Sequence, residues 1–182
     1  MKTIKKLTAL ILILGISVAF AGCGTEETGE DPGVPEAGQT IAFETTDLEG
    51  NSVSSDRLFS ENRITMINIW GTFCPPCIDE MPELAEMEKE YAEKGAGIVG
   101  VMADVPSADA DTFKDAEDIV KQTGVEYTNL IPWESFEDDL AVSAVPTTFF
   151  VDSQGNIIGE PIVGAMVDEY KRVIDEYLEG AE

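Results

Sequence analysis

From about residue 39 onward the chain switches repeatedly between a strand period and a helix period, and those switches predict its elements. Thr40–Asp47 and Val53 flank the turn residues Glu49-Gly50-Asn51, which predicts a hairpin. Ile64–Trp70 is an almost unbroken apolar run, the pattern of a central strand buried on both faces. Over Pro75–Lys94 the period changes: Met81, Leu84, Met87 and Tyr91 fall at helical spacing, and Gly95 marks the end. Pro82 lies inside that helix and predicts a kink. A strand at Ile98–Ala103, a helix near Asp109–Gln122, a short strand near Thr128–Ile131 and a helical turn or two over Ser135–Val142 follow. Thr147–Val151 and Asn156–Ile162 read as two strands joined by Ser153-Gln154-Gly155, and Val167–Leu178 reads as a closing amphipathic helix. Strands alternating with helices predict an α/β fold, a mixed sheet flanked by helices.

The first 38 residues do not share this pattern. Met1–Lys6 is basic, and Leu7–Phe20 is an apolar stretch of signal-peptide length, shorter than the about 20 apolar residues that span a bilayer. Phe20-Ala21-Gly22-Cys23 resembles the lipobox of bacterial lipoproteins, in which the cysteine is lipidated and becomes the first residue of the mature chain. The match departs at Phe20, where an aliphatic residue is usual. Ala19-Phe20-Ala21 also fits the small-x-small cleavage site of ordinary secretion. That alternative would leave Cys23 unpaired on an exposed tail in an oxidising compartment, a liability. Residues 24–38 are Gly, Pro, Glu and Thr with almost nothing apolar, and cannot bury enough surface to order themselves. The expected organisation is a lipoprotein signal over 1–22, lipidation at Cys23, a flexible acidic tether over 23–38 and one domain over 39–182.

Charge and composition narrow the chemistry. The 11 basic residues face 36 acidic ones, a net charge of −25, and three of those basic residues stand in the first six positions. Such a surface repels phosphate backbones and anionic headgroups, so nucleic acid is not an expected partner. The chain has no histidine, which removes Ser-His-Asp and Cys-His catalysis and the commonest metal ligand.

The candidate chemistry lies in Trp70-Gly71-Thr72-Phe73-Cys74-Pro75-Pro76-Cys77. Two cysteines separated by two residues at a strand-to-helix junction can close a small disulfide ring with little backbone change. A helix start aims its N–H dipoles at the first sulfur and favours the thiolate, the form that attacks a disulfide. The second cysteine stands one turn along, placed to resolve a mixed disulfide. The same spacing serves half of a zinc site, but zinc takes two further Cys or His ligands, and only Cys23 remains. A structural disulfide is the other rival, and it accounts neither for the aromatic residues before Cys74 nor for the helix start.

This run, with Ile78-Asp79-Glu80-Met81-Pro82 after it, resembles the TlpA/ResA-like branch of the thioredoxin superfamily. Val145-Pro146-Thr147-Thr148-Phe149 is similar to that superfamily's cis-proline segment. The resemblance covers about residues 39–180. It implies a thioredoxin-like sheet with an N-terminal β-hairpin and a central insertion. It also implies a membrane-anchored thiol–disulfide oxidoreductase that reduces extracytoplasmic proteins through Cys74 and Cys77, with no cofactor beyond that redox-active pair. It implies a cis bond before Pro146 and a substrate contact at Val145 and Pro146. Cytoplasmic thioredoxin carries a buried acid six residues before its first cysteine, where this chain has Asn68; the ResA-like branch has instead a glutamate three residues after its second, here Glu80. Glu80 also stands at i+3 from Cys77 on one helical face, where a carboxyl of tunable pKa would serve proton transfer. The plainer account, a solvated first-turn acid favoured by the helix dipole, suits Asp79 and Glu83. Trp70, Phe73, Pro75 and Pro76 are expected as part packing and part apolar substrate rim. Trp133 and the acids of 134–139 are expected in a solvated loop.

Two other classes stay in view. A peroxiredoxin-like thiol peroxidase wants Thr-x-x-Cys, and the residue three before Cys74 is Gly71. A Cu(I)-delivery module fits thiolate softness, but the related copper carriers pair CxxxC with a histidine. Within the resemblance the substrates range over cytochrome c maturation, methionine sulfoxide reductases and general disulfide repair, and the electron donor is a membrane thiol carrier of CcdA type. No residue selects among these substrates.

Overall fold

The computed structural model describes residues 35–180. Its centre is β3 (Ile64–Trp70), in which all seven residues are buried. The apolar run pairs parallel with β4 (Ala96–Met102) and antiparallel with β6 (Thr147–Asp152). Short β5 (Asn129–Leu130) and β7 (Ile162–Val163) close the edges, giving the order β5-β4-β3-β6-β7. A parallel pair requires a crossover, and α2 (Pro75–Ala92) supplies it between β3 and β4. It runs through Pro82 as one helix. Before this sheet β1 (Glu44–Thr46) and β2 (Ser52–Ser54) form the predicted hairpin.

Alternation along the strands assigns the two faces. Ile64, Met66 and Trp70 of β3 pack with Met81, Leu84 and Met87 of α2 and with Tyr170 and Ile174 of α5 (Val167–Gly180). Ala116 of α3 (Phe113–Thr123) joins that layer. Ile67 and Ile69 point the other way, onto Phe59 of α1 (Ser55–Ser60) and Phe136 and Leu140 of α4 (Phe136–Leu140). Asn68 and Thr148 are register partners across β3 and β6, and by the same alternation both side chains lie on the α2/α5 face.

Several boundaries differ from the pattern-based expectation. The strand expected over Asn156–Ile162 is two isolated bridges, Thr40↔Asn156 and Val151↔Ile157, followed by a two-residue β7. Gly159 sits at φ +66° and Pro161 has no N–H to donate, so a ladder cannot run through them. α1 went unpredicted because six residues with one large buried apolar side chain, Phe59, carry no period to read. α3 starts later than expected, since Thr112 Oγ1 donates to the Asp104 carbonyl (2.6 Å) and holds a loop there. The packed region reaches back to a buried Pro35, and the Gly38 N–H donates to the Ile157 carbonyl (2.9 Å). Trp133 does not sit in a solvated loop: it stacks on Phe43 at 4.2 Å, and its Nε1 donates to Asp139 (2.6 Å).

Candidate active site

Cys74 is the N-cap of α2. Its backbone is extended (φ −105°, ψ 96°), and its Sγ accepts the Cys77 N–H at 3.3 Å. A sulfur therefore stands where a Ser or Asp oxygen would cap the helix, at the positive end of the dipole. Pro75 fits the first helical position, which has no intrahelical use for an N–H. Cys74 and Cys77 form a disulfide; the second sulfur is wholly buried, and Cys74 is 5% exposed. The turn leading in is tied down from β4's side of the sheet. The Thr72 N–H and hydroxyl both donate to the Asp104 carboxylate, at 3.0 and 2.5 Å.

Against Cys74 lies the loop into β6. The Val145–Pro146 bond is cis, and Cys74 Sγ is 3.5 Å from the Val145 carbonyl oxygen. The Pro146 carbonyl accepts the Gly164 N–H (2.8 Å), which fastens this segment to the residues after β7.

Glu80 is buried, in contrast to Asp79 and Glu83 on the same helix. Asn68 Nδ2 donates to its Oε1 (3.0 Å) and to Thr148 Oγ1 (3.1 Å), and the Tyr170 hydroxyl lies 3.3 Å from its Oε2. Lys171 is paired with Glu83, one turn further along α2, at 3.0 Å. Burial pushes the Glu80 carboxyl up to about 7; the Asn68 and Tyr170 bonds oppose that rise, and the Glu83 charge adds to it. A carboxyl poised near neutrality exchanges a proton with a nearby thiol in either direction. Glu80 borders an open cleft of about 750 Å³ together with Pro76, Asp79, Glu83, Met166 and Asp168.

The remaining expected site residues divide. Phe73 (70% exposed), Pro75 and Pro76 are on the surface beside the dithiol, and Val145 is half-buried. Trp70 is no part of the rim. It is fully buried, and its Nε1 reaches over Gly100 to donate to Asn129 Oδ1 (2.9 Å). A Cβ on Gly100 would lie 2.1 Å from that oxygen, so glycine there is a condition of the bond. Cys23 lies outside the described residues. Pattern reading missed Asp104, Thr148 and Tyr170, and gave Asn68 no role. A polar residue in an apolar strand was the one available signal, and it pointed to Asn68. Among the described residues no group of three or more His, Cys, Asp or Glu side chains converges as a metal site.

Residues 33–176 match the Redoxin family. The chain is 30% identical over 175 residues to a protein of Halalkalibacterium halodurans named thiol-disulfide oxidoreductase ResA, covering 93% of this chain and 91% of that one. It is 29% identical over 168 residues to the thioredoxin-like protein YneN of Bacillus subtilis, covering 90% and 92%. A thioredoxin-family thiol:disulfide interchange protein of Chlorobium tepidum shares the fold at a TM-score of 0.65 and 22% identity, covering 79% of this chain and 97% of that one. With a CxxC disulfide capping a helix against a cis-proline loop, the chain belongs to the Redoxin family and is a ResA-like thiol–disulfide oxidoreductase.

Proposed function

We propose that this oxidoreductase works as a reductant on the outer side of the cell membrane, held there by a lipid on Cys23. The observation that carries the direction is the buried Glu80, one turn of α2 beyond the buried Cys77 and in no ion pair among the described residues. Negative charge and burial disfavour a second anion nearby, so the Cys74 thiolate gains little beyond the helix dipole. A dithiol whose thiolate is not strongly stabilised gives up its electrons readily.

In the reductive cycle the Cys74 thiolate attacks a substrate disulfide. One substrate sulfur leaves and takes a proton, and a mixed disulfide forms. Glu80 takes the Cys77 proton, Cys77 attacks Cys74 Sγ, and the second substrate sulfur leaves as a thiolate that takes up the proton Glu80 releases. Two electrons and two protons have then passed to the substrate, and the Cys74–Cys77 disulfide remains. Val145 and Pro146 border Cys74 and offer backbone for substrate pairing, and Phe73, Pro75 and Pro76 form the apolar rim. A membrane thiol donor of CcdA type restores the dithiol. Disulfides of extracytoplasmic proteins, among them those reduced in cytochrome c maturation, are the substrates by family likeness. The Lys-rich start, apolar stretch and lipobox-like Phe20–Cys23 support the location.

Trapping tests this reading. In cells, Cys77→Ser should accumulate mixed disulfides in the membrane fraction, and adding Cys74→Ser should abolish them. Fatty-acid label should be lost in Cys23→Ala. The midpoint should lie near thioredoxin's value of about −270 mV; one near about −120 mV would make the protein a disulfide donor and overturn the proposal.

A further inference from the structure

The Tyr170 phenol is fully buried, where a phenylalanine would pack as well and carry no desolvation cost for a hydroxyl. That hydroxyl has one proton and two acceptors for it, the Gly164 carbonyl at 2.7 Å and Glu80 Oε2 at 3.3 Å, while the Thr148 hydroxyl bonds to its oxygen. A carbonyl accepts only. While the proton points at Gly164, the contact with Glu80 is a hydrogen bond only if the carboxyl is protonated and donates. Once Glu80 ionises, its carboxylate is the stronger acceptor, and the phenol proton turns toward it. Gly164 in turn donates its N–H to the carbonyl of Pro146, the residue after Val145, whose own carbonyl oxygen is 3.5 Å from Cys74 Sγ.

We propose that Tyr170 is a positioning residue of the dithiol site: its hydroxyl holds Glu80 in place, favours its ionised form, and ties its protonation to the Gly164–Pro146 backbone. The inference rests on the reading of Glu80 as the proton carrier, and extends it to the residue that governs that carrier. The other groups around Glu80 do not duplicate the role. Asn68 donates from β3 but carries no proton to redirect, and its Oδ1 has no partner among the described residues. On α2, Asp79 is exposed and Glu83 is held by Lys171 from α5; Asp168 and Glu169 line the cleft, with Glu169 held by Arg172. Among the described residues the Tyr127 phenol is buried without a partner, and burial together with Glu80's charge pushes it up, so it stays neutral. Thr148 accepts from Asn68 and bonds to the Tyr170 hydroxyl, with no hydrogen bond to the Glu80 carboxyl, and the two cysteines are oxidised to the disulfide.

The test is a direct titration of Glu80 by carboxyl NMR in the oxidised full-length protein, where catalysis does not enter. Tyr170→Phe should raise the Glu80 midpoint by about one pH unit, since it removes a donor that the carboxylate uses more strongly than the acid does. In the wild type the Gly164 amide resonance should titrate with the same midpoint, and in Tyr170→Phe that titration should vanish. Site-specific 3-fluorotyrosine at 170, a stronger donor with the ring packing retained, should move the midpoint down and covers the case in which Tyr170→Phe fails to fold. An unchanged Glu80 midpoint in both variants overturns the proposal. The reading of Glu80 fails separately: if Glu80→Gln leaves the pH–rate profile of exchange unchanged while Tyr170→Phe still moves the Glu80 midpoint, Tyr170 keeps its place and Glu80 loses its proton role.

Discussion

The two faces of the central sheet are fed by the same three strands, yet they differ in kind. On the α1/α4 face, Phe43, Phe59, Trp133 and Phe136 close the core with aromatic contacts, Phe43 lying 5.8 Å from Phe59 and 4.2 Å from Trp133. On the α2/α5 face a similar apolar layer holds four polar side chains, Asn68, Thr148, Glu80 and Tyr170, joined by hydrogen bonds. The difference teaches where this fold can host chemistry. A buried carboxyl costs stability unless its neighbours satisfy it, and Glu80 lies on the face under the helix that starts at Cys74, where the proposed exchange has a use for one. Burial that would be a defect on the aromatic face becomes, beside a dithiol, the means of holding an acid near neutral pH.

Substitutions on each face separate the two roles. Phe59→Ala on the aromatic face should cost about 3–5 kcal/mol, since Phe59 is fully buried in a packed cluster. The folded fraction should exchange disulfides at the wild-type rate. Chemical denaturation alongside a per-folded-molecule insulin-reduction rate checks both halves, and a slowed intrinsic rate would break the division.

Glu80→Gln should act in the opposite sense on stability. The folded carboxyl titrates at about 7 against 4.5 for the ordinary group, so between those pH values the folded state holds a proton that the unfolded chain has released. Wild-type stability therefore falls as pH rises from about 4.5 to about 7, by about 3 kcal/mol in all. Glutamine does not ionise, so the variant should match the wild type near pH 4 and gain on it until pH 7, while its exchange slows. Unfolding free energies at pH 4, 6 and 8 measure this; a difference that ignores pH would remove the buried charge from the account.

The smallest change is expected at the exposed edge of the active face. Phe73→Ser should leave stability within about 0.5 kcal/mol, because the ring is 70% exposed. It should slow reduction of a protein disulfide a few-fold while leaving a small disulfide unaffected, in the manner of a contact residue outside the chemistry. Equal slowing of both substrates would place Phe73 in the chemistry itself.

Much of this was legible without coordinates. The unbroken run Ile64–Trp70 and the period over Pro75–Lys94 located the central strand and the helix that begins at the dithiol, observed over Pro75–Ala92, because both signals are long and local. CxxC at that junction, with Pro146 far downstream, was readable for the same reason. The shorter pieces were not. Nothing local distinguishes α1, and the Asn156–Ile162 pattern looked like a strand until Gly159 and Pro161 interrupted its pairing. Trp70 looked like part packing and part rim from its place near Phe73, and only the packing half holds. Its partner Asn129 is 59 residues away, and only pairing through β4 brings them together over Gly100.

What the sequence determined by itself was therefore the kind of chemistry: two cysteines a turn apart, no histidine, and a helix start beneath the first sulfur. What only the tertiary structure decided was the state of the acid beside them. Asp79, Glu80 and Glu83 are near-equivalent in one dimension, and a helix period alone does not say which of them turns inward. Packing of α5 across α2 leaves Asp79 in solvent, pairs Glu83 with Lys171, and seals Glu80 between Asn68 and Tyr170. Loss of solvation, a property of the surroundings and not of the residue, raises the Glu80 carboxyl to about 7.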